Sequence, residues 1–118
     1  MHRHLIRQAM MVSVVLLLAA GTAWAAKGTR FWNLTHYEVD SLQLAPAGTT
    51  DYGENLCQQD EDGSVEYDER LKVDGVKSGV YDAKIHDVHG RTCSAKNVTV
   101  EEGKVFSIQE KELVDCTE

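Results

Sequence analysis

The second half of the chain alternates. After Ser78-Gly79, Tyr81, Ala83 and Ile85 fall on one side of an extended backbone, and Asp82, Lys84 and His86 on the other. Successive side chains of a strand point to opposite faces, so this pattern predicts a half-buried strand. Val88-His89-Gly90-Arg91 turns it, and residues 92–100 return with Val98 and Val100 on the apolar side. Glu101-Glu102-Gly103-Lys104 turns again, and residues 105–109 put Phe106 and Ile108 inward. Earlier runs are shorter. Residues 31–36 and 39–44 are β-prone, the second with Leu42 and Leu44 on one face, and residues 66–73 alternate through Leu71 and Val73. Residues 45–53 hold Pro46, two glycines and Asp51, which is loop chemistry. Residues 54–59 have room for one helical turn, while Asp60-Glu61-Asp62-Gly63 and Asp74-Gly75 are turn signals. Six or seven short strands at a spacing of roughly ten residues predict an all-β domain, a small antiparallel β-sandwich.

The first 25 residues follow a different rule. Arg3 and Arg7 precede an apolar run from Met10 to Ala20, and Ala23-Trp24-Ala25 fits the small-x-small cleavage pattern. The run is too short for a bilayer, which takes about 20 residues. The expected organisation is therefore a cleaved signal peptide at 1–25 and one β-sandwich domain at 26–118. The expected location is periplasmic or secreted, with no stable membrane insertion after processing.

Removing the leader changes the charge. The whole chain has 12 Lys+Arg against 19 Asp+Glu; without Arg3 and Arg7 the balance is 10 against 19, a net of −9. Such a domain is not expected to bind nucleic acid, whose phosphates require a basic face. It favours an unknown protein or cationic ligand as partner. All three cysteines, Cys57, Cys93 and Cys116, lie in the exported part, where disulfides persist. Cys93–Cys116 is the favoured bridge, because it ties down a tail with little apolar content; Cys57–Cys93 is the second choice. Cys57 is then left as a packed small hydrophobe, or alternatively as a redox-active thiol.

Two segments, Ser78-Gly79-Val80-Tyr81-Asp82-Ala83-Lys84 and Val98-Thr99-Val100-Glu101-Glu102-Gly103-Lys104, resemble strands of transthyretin-like and carboxypeptidase-regulatory-like β-sandwich modules. More narrowly, most of residues 30–116 resembles a family of small exported proteobacterial proteins of unknown function. The residues that carry this are Asn33-Leu34-Thr35, Leu42-x-Leu44-Ala45-Pro46-Ala47-Gly48, Tyr52-Gly53-Glu54-Asn55-Leu56 and Gly90-Arg91-Thr92-Cys93. A tryptophan often stands where Tyr52 is, and an aliphatic residue where Cys57 is. The resemblance implies a fold and a compartment, and no catalytic residue.

Three constellations carry candidate chemistry. Counting Gln58 as the first position of a calcium loop puts Asp60, Asp62, Glu66 and Glu69 at ligand positions and Gly63 at the sharp turn. The alternative is a solvated acidic loop, since Gln58 replaces the usual Asp and neither flank reads as a helix. His86-Asp87-Val88-His89 offers two imidazoles for zinc or copper, but a spacing of three on a strand-turn sends them different ways, with His36 distant in sequence. Phe31, Trp32, Tyr37, Tyr52 and Tyr67 are either a binding face or packing. Nucleophile-elbow, zinc-protease and phosphate-loop motifs are not found in the sequence. The expected function is a non-enzymatic periplasmic binding or interaction module of unknown ligand, without a cofactor, using exposed strand edges or the acidic loop. The alternative is a calcium-type cation-binding protein acting through residues 58–69.

Overall fold

The computed structural model describes residues 28–118, so the leader expected at 1–25 lies outside the described residues. Seven strands follow in order: β1 (Thr29–Leu34), β2 (Val39–Pro46), β3 (Arg70–Val73), β4 (Gly79–Asp87), β5 (Thr92–Val100), β6 (Val105–Gln109) and β7 (Val114–Thr117). They form a three-stranded sheet, β3-β1-β6, and a four-stranded sheet, β2-β4-β5-β7. The all-β sandwich expected from the alternation is the observed architecture.

The alternation explains the core. Phe31, Leu71, Val73, Phe106 and Ile108 of the smaller sheet and Leu42, Ala83, Ile85, Ala95 and Val100 of the larger are all buried in one apolar cluster. The Phe31 and Phe106 rings lie 5.6 Å apart at a tilt. Hiding a side chain such as Phe31 from water stabilises the fold by about 1.5–3 kcal/mol.

Four details depart from the sequence reading. First, β1 runs parallel to β6, with Phe31 opposite Phe106, whereas the other strand pairs are antiparallel. Alternation marks a face and carries no direction. Second, the strand expected over residues 66–73 begins only at Arg70. Asp68 has φ +68°, a left-handed conformation that a strand does not accommodate. Third, the tail contains β7, all four residues of which are exposed and so show no alternation. Fourth, the alternation puts Asp82 on the polar side of β4, yet it is buried beside a bulge at Tyr81/Ala83. Its oxygens accept the backbone N–H groups of Gly48 and Asn97 at 2.9 and 3.1 Å. The Gly48 bond first, then the Asn97 bond, holds its carboxyl below the usual range.

Polar side chains tie the layers. Asn33 is fully buried where the chain leaves β1. Its Nδ2 donates to the carbonyls of Tyr37 and Val65, and its Oδ1 accepts from the Thr35 N–H and hydroxyl. Every hydrogen-bonding position of the amide is thus filled, as burial demands. Asn55 caps the 3-10 turn Leu56–Gln59, a turn that fits the 54–59 expectation. Its Oδ1 accepts from Leu42 and Cys57, and its Nδ2 donates to Asp40, so one side chain covers part of the β2 edge. Asn33 and Asn55 therefore act as structural knots.

The outward faces of the two sheets differ. On the smaller sheet, the residues alternating with the core are Arg30, Trp32 and Leu34 of β1 and Arg70 and Lys72 of β3. Val105, Ser107 and Gln109 complete that face from β6.

Candidate functional site

The acidic loop is pinned at its middle. Val65 is buried and bridges to Val39 through two backbone hydrogen bonds of 2.9 and 2.8 Å. This divides the four carboxylates. Asp60 ends the 3-10 turn and accepts from the N–H of Asp62, while Glu69 accepts from the N–H of Glu66 beyond Val65. Among the described residues, no three His, Cys, Asp or Glu side chains converge on a point suited to a metal ion. Asp60, Asp62, Glu66 and Glu69 are not gathered.

The histidines part as the spacing predicts, and a different pair meets. His86 Nδ1 lies 2.6 Å from Asp40 Oδ1 across β2 and β4. His89 sits on the β4–β5 turn with its ring 4.0 Å from that of Tyr37. His36, the chain neighbour of Tyr37, meets that ring edge-on at 6.3 Å. Beneath them, the Arg91 guanidinium bonds Asp87 at 2.9 Å and Glu110 at 2.7 Å. Burial would raise Asp87, but Arg91 and the N–H groups of Arg91 and His89 hold it below the usual range. The Arg91 hydrogen bond brings Glu110 down to about 2. This triad clasps the β4–β5 turn to the segment after β6.

Cys93 and Cys116 are joined, clamping β7 to β5. Cys57 is fully buried, and burial pushes its thiol up to about 12. A thiolate is the reactive form, so this side chain packs as an apolar group. Of the aromatics, Phe31 is core, Tyr52 lies under the Lys84 ammonium at 4.5 Å, and Trp32 and Tyr67 remain outward.

A cleft of about 200 Å³ lies at one end of the sandwich, beside Leu44 of β2 and Tyr81 of β4. Leu44, Leu56, Val76 and Tyr81 line it, with the acidic residues Glu54 and Asp74 also in its wall. Its sides are fixed. The Gly53 N–H donates to Leu44, the Gln59 amide bonds both backbone groups of Asp74, and the Tyr81 hydroxyl donates to Lys77. Glu54 and Asp74 form no ion pair among the described residues. The sequence reading missed this cleft because its walls come from four separated segments. The available signal was Glu54 beside Leu56, followed by the Asp74-Gly75 turn. No protein family, characterised protein or solved structure matches the chain.

Proposed function

We propose that the chain is a non-enzymatic binding module, exported to the periplasm or beyond, that receives a basic side chain of a partner protein in the end cleft. The leader pattern and the Cys93–Cys116 bridge support export, since disulfides persist in oxidising compartments. The cleft supports the binding role: apolar walls with two acidic residues that form no ion pair among the described residues. Its size selects the ligand. Sites for drug-sized molecules occupy roughly 300–1,000 Å³, and this one is smaller. A Lys or Arg side chain suits it, with an aliphatic stem for Leu44, Leu56 and Val76 and a charged head for Glu54 and Asp74. The net charge of −9 expected once the leader is removed draws basic partners from solution.

The test is a titration of the processed protein with acetyl-arginine amide, followed by NMR. Shifts confined to Leu44, Leu56, Val76 and Tyr81 support the reading, provided they vanish in Glu54→Gln/Asp74→Asn and with the uncharged analogue citrulline amide. Shifts elsewhere, or unchanged in the double variant, overturn it.

A further inference from the structure

The geometry points to a second binding surface of opposite sign, the outward face of the three-stranded sheet, and to an acidic polysaccharide strand as its ligand. Arg30 and Lys72 stand directly opposite each other on β1 and β3, and Arg70 is opposite Trp32. None of these three cations forms an ion pair among the described residues. No outward position of β1, β3 or β6 holds a carboxylate, in a chain with 19 Asp+Glu. Like charges directly opposite across a ladder are destabilising. A chain so rich in acids had partners to offer Arg30 and Lys72, yet it leaves them facing each other and solvent.

The Arg70 guanidinium lies 4.2 Å from the centre of the Trp32 ring. That stack holds it flat, and the Trp32 indole N–H is anchored on Asp68 at 2.9 Å. Asp68 borders the face with its carboxylate engaged there. A held guanidinium binds carboxylate or sulfate oxygens with two parallel hydrogen bonds. Along the same face Tyr67 is 61% exposed beside Leu34 and Gln109. The surface thus runs from a cationic end to an aromatic end, with the Ser107 hydroxyl between.

Charge separates the possible occupants. An anionic bilayer is a plane and confronts the whole acidic molecule, which it repels. A single strand meets only the basic face. An acidic peptide adds to a sheet through an edge, using backbone pairing, whereas this surface offers side chains. A uronate chain combines what the face provides for: carboxylates for Arg30, Arg70 and Lys72, ring faces for Tyr67, and hydroxyls for Ser107.

Calorimetry of the processed protein with oligogalacturonate, dextran, poly-glutamate and phosphatidylglycerol vesicles tests this. Oligogalacturonate is expected to bind, to weaken as salt rises, and to lose about tenfold or more in affinity in Arg30→Ala/Lys72→Ala, with Tm kept. Tyr67→Ser is expected to lose several-fold while poly-glutamate and dextran stay silent. Equal binding of poly-glutamate, binding of vesicles alone, no binding at all, or an unaffected double variant each overturns the assignment. The cleft is untouched by these variants, so its own titration stands or falls separately.

Discussion

On the four-stranded sheet, His86 lies against Asp40, Lys96 reaches Asp82, and Arg91 is held between Asp87 and Glu110. Lys84 covers Tyr52, and a disulfide fastens the edge strand. On the three-stranded sheet, Arg30 and Lys72 face each other unpaired, and Arg70 meets only an indole. Both sheets share one core, so packing does not account for the difference. The larger sheet spends its charges on holding turns and edges together. The smaller sheet leaves its charges to solvent, where they are free to meet a ligand. Altering residues in each region should therefore affect different quantities.

The largest effect is expected at the junction of the layers. Asn33→Ala strands the N–H of Thr35 inside the fold and takes one of two donors from each of the carbonyls of Tyr37 and Val65. The expected loss is about 3–5 kcal/mol, read by urea denaturation. A loss below about 1 kcal/mol would mean that water replaces the amide and that the junction is softer than described.

The disulfide comes next. Cys93→Ser/Cys116→Ser opens a loop spanning 23 positions in sequence, and the chain-entropy argument gives about 3 kcal/mol. For a domain of this size that is a fall in Tm of roughly 10–20 °C. Hydrogen exchange should speed up first in β7, which has only two ladder partners on β5. Uniform loosening of both sheets would contradict the view that the bridge serves the larger sheet's edge.

What the sequence disclosed and what it hid divide along the same line. β4, β5 and β6 were legible because each follows the last through a short turn and, apart from the irregularity at Asp82 in β4 and at Lys96-Asn97 in β5, hides every second side chain. The Cys93–Cys116 bridge was legible because the tail lacked any other anchor. The β1–β6 pairing was hidden, since it joins residues such as Phe31 and Phe106 that lie far apart in the chain. The stacking of His89 on Tyr37 was hidden for the same reason. The basic face was masked twice over. Arg30 and Lys72 are distant in sequence, and the overall acidic balance pointed to cationic partners alone. Counting charge along a chain says nothing of which residues a sheet sets side by side.

A smaller effect concerns acid. Glu110 is held down to about 2 by Arg91, and Asp87 is lowered as well. A carboxylate lowered on folding stabilises fully above its unfolded value and loses that stabilisation as pH falls through the folded one. Tm should stay level from neutral pH to about 5 and fall between about 4.5 and 2. Arg91→Met should cost about 2 kcal/mol at neutral pH and flatten that acid limb. An unchanged limb would place the acid sensitivity elsewhere, Asp82 being the next carboxylate to alter.

The smallest change in stability is the most discriminating. Lys72→Glu puts a carboxylate directly opposite Arg30 at the β1–β3 register. An opposite-charge pair there replaces a repulsive one, so the domain should gain about 0.5 kcal/mol. The same substitution removes one cation from the face and adds an anion, so oligogalacturonate affinity should fall by about tenfold or more. Stability and binding then move in opposite directions. A residue retained for the fold would lose both together, and a residue without a role would leave binding alone. On the larger sheet the sign reverses, because Arg91→Met lowers stability without touching the basic face. If Lys72→Glu destabilised the domain, Arg30 and Lys72 would be structural after all, and the contrast between the two sheets would collapse.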